Sequence, residues 1–171
     1  GISTVEDMKV LFEAGADKIS INSAAVQNPD IIEQAAEKFG SQAVVVAIDV
    51  KKIEDNKWHV FTRGGSFDTG LDAGEWIGKA QTLGAGEFLI TSMDRDGTKV
   101  GFDTEFLKII KNFVSVPVIA SGGAGTEKDF EIIFSQNLAD AGLAASIFHF
   151  GEIAIPDLKK TLKEKGISVR I

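Results

Sequence analysis

Residues 117–125, Pro-Val-Ile-Ala-Ser-Gly-Gly-Ala-Gly, form the pattern that most directly suggests chemistry. The apolar run 118–120 predicts a short buried strand, and the small residues that follow predict a tight turn. Gly122 and Gly123 allow positive φ and a close approach of the backbone to a ligand. Thr126-Glu-Lys-Asp-Phe predicts a helix start, so free N–H groups and the positive end of the helix dipole favour binding of a phosphate. The alternative is a turn that only connects two elements.

Asp49 is the strongest single candidate for acid/base chemistry. It ends the apolar run Val44-Val-Val-Ala-Ile, which places a carboxylate at the mouth of a low-dielectric core. Burial of that kind tunes a pKa for proton transfer. An N-cap, or a salt bridge to Lys51 or Lys52, is the alternative interpretation.

A third candidate is the segment 94–101, Asp-Arg-Asp-Gly-Thr-Lys-Val-Gly. The pair Asp96-Gly97 favours a tight turn. The segment is either a plain surface turn or a mobile loop that grips a ligand, with Asp96 accepting hydrogen bonds and Gly97 donating its backbone N–H.

These residues belong to a repeated pattern in which a helix, a small-residue turn and a short apolar strand follow one another. Strands alternating with helices predict βαβ units and a parallel sheet. Five buried strands are predicted, each with polar residues at its C-terminal end: Asn22-Ser23, Asp49, Thr91-Ser92, Ser121 and Ser146. Because ligands bind at that end of parallel α/β sheets, we expect one shared pocket, although any single serine there could simply cap the next helix. Six helices are predicted, at 4–14, 28–39, 73–83, 103–113, 126–135 and 155–165.

One segment departs from the repeat. Residues 58–63 alternate as a strand does, and they follow the polar turn 54–57. Together with Val50-Lys-Lys-Ile they predict a β-hairpin extension of the second core strand. Residues 64–70 are predicted to be a flexible loop.

Composition narrows the functional classes. A net charge of −7 and a pI near 4.9 argue against nucleic-acid binding, since no basic stripe is present. No apolar run is long enough to span a bilayer, and a cytoplasmic location is expected. The chain has no cysteine and only two histidines, so we expect neither a metal nor another cofactor.

Several long motifs resemble the cyclase subunit of imidazole glycerol phosphate synthase, an enzyme family of histidine biosynthesis, and the likeness runs from Gly1 to Ile171. The motifs are Asn-Ser-Ala-Ala-Val with Asn-Pro (22–29), Gly-Ser-Gln-Ala-Val-Val-Val-Ala-Ile-Asp (40–49), Thr-Ser-Met-Asp-Arg-Asp-Gly-Thr (91–98), Ala-Ser-Gly-Gly-Ala-Gly (120–125) and Ala-Ala-Ser-Ile-Phe-His-Phe (144–150). The resemblance implies a (β/α)8 TIM barrel that uses ammonia to cleave and cyclise a bis-phosphorylated nucleotide. It also implies a glutaminase partner that supplies the ammonia.

The resemblance assigns roles residue by residue. Asp49 matches one of two catalytic aspartates, and Thr91 matches a pocket residue. One phosphate site matches Asp96, Gly97, Ser121, Gly122, Gly123, Ala145 and Ser146, and the other matches Gly1, Asn22 and Ser23. Lys18 and Glu87 match the gate around the ammonia entrance, and Asp17 matches a partner contact.

The sequence also departs from the family pattern. A family barrel has eight strands and about 250 residues, whereas the first three strands and the second catalytic aspartate have no counterpart here. We therefore expect residues 1–171 to be one partial-barrel domain, inactive alone, whose open sheet edges invite homo-association. Two alternatives are a non-catalytic phosphate-binding half-barrel and the related isomerase of the preceding step.

Overall fold

The computed structural model describes residues 1–170 as alternating strands and helices. The strands are β1 (Ile19–Ile21), β2 (Val44–Glu54), β3 (Lys57–Thr62), β4 (Phe67–Asp72), β5 (Glu87–Ser92), β6 (Val118–Ser121) and β7 (Ala141–Leu143). The helices are α1 (Val5–Glu13), α2 (Ser23–Gln27), α3 (Asp30–Phe39), α4 (Ala73–Thr82), α5 (Thr104–Ile110), α6 (Glu127–Ser135), α7 (Ser146–His149) and α8 (Ile155–Glu164), with a 3₁₀ turn at Ser41–Ala43.

All seven strands form one sheet, and five of them are parallel. The parallel strands lie in the order β1-β2-β5-β6-β7, which confirms the predicted βαβ architecture. Within residues 1–170, β1 and β7 do not pair with each other, so the sheet is not closed. This is an α/β fold with the arrangement of a partial (β/α)8 barrel.

The two faces of the sheet differ in burial. In β2 the side chains of Val44, Val46, Ile48 and Val50 are fully buried and belong to the same core cluster as the apolar helix residues. The intervening Asp49 is only half-buried. Since successive side chains of a strand point to opposite faces, Asp49 lies on the face that the helices leave open.

The predicted hairpin is confirmed. Strand β2 continues beyond the parallel core and pairs antiparallel with β3, with Val50 opposite Val60 and Lys52 opposite Trp58. Asp49 therefore lies within a long strand rather than at its end.

The prediction of a flexible loop at 64–70 is wrong in its second half. Strand β4 begins at Phe67 and pairs antiparallel with β3. Thr69 donates its hydroxyl to the Val60 carbonyl, at 2.7 Å. No residue of β4 is fully buried, so this edge strand lacks the apolar alternation by which strands are recognised.

Helix boundaries follow the expected turn chemistry. Gly15, Gly84 and Asn137 follow α1, α4 and α6 with φ of 100°, 100° and 49°, as residues just beyond a helix end often do. The two short helices α2 and α7 were not predicted. No helix in the described part of the chain is long and apolar enough to cross a membrane.

Candidate active site

The register of the parallel strands brings the predicted polar residues to one level. Asp49 pairs with Thr91, Thr91 pairs with Ser121, and Ser121 pairs with Leu143. These positions share the open face of the sheet because neighbouring in-register side chains point the same way. The expected common row of polar groups at the C-terminal end is therefore present across β2, β5 and β6.

Asp49 is held by a single side-chain hydrogen bond. Asn22, which immediately follows β1, donates Nδ2 to the Asp49 carboxylate at 3.0 Å. Partial burial raises the pKa of Asp49 above its usual value; the Asn22 hydrogen bond opposes this, and the negative charge of Asp96 adds to it. A half-buried carboxylate whose pKa is raised is a stronger base than an exposed one, which suits it to proton transfer.

The two alternative interpretations of Asp49 do not hold. It lies inside a strand and so caps no helix. Among the ion pairs of residues 1–170, none joins Asp49 to Lys51 or Lys52. Lys52 instead pairs with Glu105 at 2.8 Å on the other side of the sheet.

A cavity of about 170 Å³ lies beside this row. Its lining includes every residue predicted for the first phosphate site: Asp96, Gly97, Ser121, Gly122, Gly123, Ala145 and Ser146. Three separate loops, after β5, β6 and β7, thus converge on one small concave space. The cavity is large enough for a phosphate group.

Gly122 and Gly123 are required by the packing around this cavity. Their φ angles are 87° and 99°. A Cβ at Gly122 would lie 2.6 Å from the carbonyl oxygen of Ser92, and one at Gly123 would lie 2.3 Å from that of Gly101. Only glycine lets the turn lie this close to the loop after β5.

Backbone donors are available at the cavity. Outside the strand ladders, no backbone hydrogen bond within residues 1–170 uses the N–H of Gly123, Ala124, Ala145 or Ser146. Free N–H groups around a small cavity are the donors that phosphate oxygens accept from. A ligand of that kind would satisfy groups that the protein itself leaves unpaired.

The N–H groups immediately before α6 are already engaged within the protein. Asp129 accepts hydrogen bonds from the N–H groups of Gly125 and Thr126, at 2.9 and 2.8 Å. The carboxylate of the helix itself therefore occupies its N-terminus, as in a capping box. The free donors come from the turn before the helix and from the segment after β7.

The loop after β5 is tied at several points. The N–H of Gly101 donates to Gly123 at 2.8 Å. Asp94 accepts from the N–H of Lys52 at 2.7 Å, and Lys99 pairs with Glu152 at 2.6 Å. The segment is thus more than a plain surface turn, because its contacts join it to the hairpin, the glycine turn and the segment after α7.

The residues of the second predicted phosphate site are not joined in the same way. The Nδ2 of Asn22 is engaged by Asp49, and Ser23 accepts from the N–H of Arg63 at 3.2 Å. Gly1 is exposed, and its carbonyl accepts from Ser3 at 3.5 Å. No hydrogen bond within residues 1–170 links Gly1 to Asn22 or Ser23.

The predicted gate residues lie at the opposite end of the sheet. Lys18 precedes β1, Glu87 opens β5, and the two form an ion pair of 2.6 Å across the end of β2. Glu87 is largely buried, with 14% of its side chain exposed, whereas half of the Lys18 side chain is exposed. Asp17 next to them is exposed.

Sequence reasoning missed one buried polar cluster and misplaced one of its members. Ser92 does not face the shared pocket but lies on the opposite face, where its hydroxyl donates to Asp103 at 3.2 Å. The indole N–H of Trp58 donates to the same oxygen at 3.2 Å. No local sequence motif predicts this cluster, because its members come from β3, β5 and the start of α5.

Comparison with known proteins defines the class of this fold and site. A family model described as "Histidine biosynthesis protein" matches residues 1–154. Imidazole glycerol phosphate synthase subunit HisF of Hydrogenobaculum sp. is 56% identical over the whole chain, which spans 68% of that protein. HisF of Streptococcus mutans and of Alkaliphilus metalliredigens are 53% and 55% identical over 99% of the chain, again spanning 68% of each relative.

The chain therefore belongs to the HisF family of histidine-biosynthesis proteins. The names of all three relatives support the cyclase interpretation over the related isomerase. All three are also named as subunits, that is, as parts of a larger enzyme.

Proposed function

We propose that the chain is the C-terminal two-thirds of a cyclase of imidazole glycerol phosphate synthase, folded as one partial-barrel domain. The reaction is the ammonia-dependent conversion of a phosphoribulosyl formimino-aminoimidazole-carboxamide ribotide to imidazole glycerol phosphate and an aminoimidazole-carboxamide ribotide. The observation that carries the proposal is the cavity in which all seven predicted residues of one phosphate site converge.

The cavity anchors one phosphate of the substrate. The N–H groups of Gly123 and Ser146 donate to its oxygens, and Asp96 and Gly97 form the facing wall. The bound phosphate fixes the position of the rest of the substrate along the open face of the sheet. Thr91 lies in the row between this anchor and Asp49.

Asp49 transfers a proton during cleavage and ring closure. Burial raises the pKa of Asp49, which makes its carboxylate a stronger base, and the protonated group returns the proton as an acid in the following step. Asn22 fixes the orientation of the carboxylate, and Ser23 and Gly1 bind the second phosphate in this proposal. The resemblance implies a second catalytic aspartate, which has no counterpart in these 171 residues.

The ammonia enters at the other end of the sheet. Lys18 and Glu87 form an ion pair there that must open or shift to pass a small neutral molecule. A glutaminase docks on this end, with Asp17 among its contacts, and the enzyme works in the cytoplasm. The naming of the relatives as subunits supports the existence of a partner.

A polypeptide of only these 171 residues is proposed to bind phosphate without turnover. Within residues 1–170 one cavity gathers all the residues predicted for one phosphate site, whereas the resemblance assigns only one of the two catalytic aspartates, Asp49, to this chain. This favours the second candidate function, a phosphate-binding half-barrel that associates through the open edges of β1 and β7.

Phosphate binding is tested with two alanine-to-aspartate variants. Ala145→Asp places a negative charge in the cavity, and Ala154→Asp adds the same charge at the exposed start of α8. We expect calorimetry with inorganic phosphate to detect binding by the wild type and by Ala154→Asp but not by Ala145→Asp. Equal binding by both variants would place the phosphate elsewhere and overturn the proposal.

Catalysis is tested by restoring the part of the barrel that the chain does not span. A fusion of residues 1–171 to the preceding third of the Hydrogenobaculum relative should turn over the nucleotide with ammonia, and Asp49→Asn should abolish turnover while leaving nucleotide binding largely intact. Turnover retained in Asp49→Asn would remove Asp49 from the catalytic role. Family-like rates from the 171-residue polypeptide alone would refute the requirement for the missing strands.

A further inference from the structure

Asp103 is a buried carboxylate that the proposed reaction does not use. Only 8% of it is exposed. One oxygen, Oδ2, accepts from Trp58 Nε1 and from Ser92 Oγ, both at 3.2 Å, and the other accepts from the N–H of Phe106 at 3.1 Å. No lysine, arginine or histidine of residues 1–170 forms an ion pair with it. Three neutral donors thus compensate the burial of this charge.

The position of Asp103 in the chain allows this cluster to hold the loop 93–102 in place. Ser92 is the last residue of β5 and Asp103 is the cap of α5, so the hydrogen bond between them joins the two ends of the loop 93–102. Trp58 adds an attachment to the hairpin strand β3. Both ends of the loop 93–102 are therefore held together by the buried Asp103 carboxylate.

The Ser92 end of this loop also lies against the phosphate cavity. The carbonyl oxygen of Ser92 accepts from the N–H groups of Arg95 and Asp96, at 3.2 and 2.9 Å. That oxygen also lies against Gly122, where a Cβ would come within 2.6 Å of it. A shift of Ser92 would consequently move the cavity wall formed by Asp96 and its neighbour Gly97.

We propose that Asp103 is a positioning residue that fixes the loop 93–102 against the glycine turn and so shapes the phosphate cavity. The link to phosphate rests on the proposed function, whereas the fixing of the loop does not. Asp103 acts through Ser92 and does not touch the ligand.

Asp103→Asn is the informative substitution. The amide oxygen of asparagine can still accept from Phe106 and preserve the helix cap. Its NH2 group, however, replaces the oxygen that accepts from Trp58 and Ser92. The indole N–H can only donate, so Trp58 is left facing another donor and loses its partner.

Asp72→Asn is the matched control. Asp72 caps α4 through the N–H of Glu75 at 3.0 Å, as Asp103 caps α5. The charge change and the type of cap are the same, but within residues 1–170 no hydrogen bond or ion pair joins Asp72 to the loop 93–102. Any effect specific to Asp103→Asn therefore reports on Trp58 and Ser92.

Two measurements are made on both variants and on the wild type. Amide hydrogen exchange of the segment 93–102 is expected to become at least about tenfold faster in Asp103→Asn, because losing buried hydrogen bonds removes protection. The affinity for inorganic phosphate is expected to fall about tenfold. Asp72→Asn should match the wild type in both measurements.

Each outcome decides part of the inference. Unchanged exchange in Asp103→Asn would overturn the fixing of the loop. Faster exchange with unchanged phosphate affinity would overturn the role in shaping the cavity. If the wild type itself does not bind phosphate, the phosphate site of the proposed function is refuted, and the exchange data still decide whether Asp103 fixes the loop.

Ser92→Ala provides the test if Asp103→Asn fails to fold. It removes one hydroxyl from a site that is 2% exposed and leaves the Trp58–Asp103 hydrogen bond in place. The same local rise in exchange and the same loss of phosphate affinity are expected, both smaller. Wild-type behaviour in both measurements would overturn the proposal.

Discussion

Gly123→Ala offers a quantitative test of the packing that forms the phosphate cavity. Two separate costs are expected. Alanine must adopt a φ of 99°, which we place at about 1–2 kcal/mol, the scale for left-handed conformations. The new methyl must also displace the Gly101 carbonyl from 2.3 Å and the Arg95 Cβ from 2.7 Å, and overpacking of this kind costs about 1–3 kcal/mol.

The expected loss of unfolding free energy is therefore about 2–5 kcal/mol. A domain has only about 5–15 kcal/mol in total, so the variant should unfold at a clearly lower urea concentration. Equilibrium urea denaturation followed by far-UV circular dichroism measures this, with comparison restricted to variants that share one slope.

Two other glycines separate the two costs. Gly166 has a φ of 77° but open space around its Cβ position, so Gly166→Ala isolates the conformational cost, about 1–2 kcal/mol. Gly78 lies inside α4 with no positive φ and open space, so Gly78→Ala should stabilise by about 0.5–1 kcal/mol. If Gly123→Ala costs no more than Gly166→Ala, the close approach of the two loops is refuted.

Three further outcomes are expected. Asp49→Asn should raise the melting temperature at pH 7 but not at pH 3. Folding raises the pKa of Asp49, so the stability that this carboxyl contributes below its unfolded pKa is lost as the pH rises through the folded pKa. An equal gain in melting temperature at both pH values would contradict this. Asp129→Ala should cost about 1 kcal/mol in urea unfolding through loss of the α6 cap. Glu87→Gln, which breaks the pair with Lys18, should cost about 0.5 kcal/mol at low salt and less at 1 M salt; a cost that does not depend on salt would contradict the ion-pair assignment.

The parts of the fold that sequence predicts well are those with a local physical signal. Apolar runs such as 44–48 mark buried parallel strands, and Gly15, Gly84 and Asn137 mark helix ends through their positive φ. The alternation of strands and helices then fixes which strand ends share an edge. That is why residues as distant in sequence as Asp49, Thr91 and Ser121 could be expected in one row.

The features that were missed divide into two kinds. The capping role of Asp129 had a visible signal, since it lies three residues after Thr126, the spacing of a capping box. Strand β4 and the Asp103 cluster had none. A polar edge strand has no buried face to impose alternation, and the hydrogen bonds of Asp103 to Trp58 and Ser92 span 45 and 11 residues.

The register of the sheet also sets the geometry that a substrate must satisfy. Asp49 and Ser121 are on the same level, separated by the single strand β5. Adjacent strands lie about 4.8 Å apart, so about 10 Å separates the two backbones. A phosphate held at Gly122 and Gly123 therefore lies about two strand spacings from the carboxylate, beyond hydrogen-bond reach. Proton transfer by Asp49 thus requires an extended ligand whose reacting atoms lie well away from its phosphate. For the same reason, Asp49→Asn should leave the affinity for inorganic phosphate unchanged, whereas Ala145→Asp removes it; an equal loss in both variants would show that the carboxylate and the phosphate cavity form one compact site.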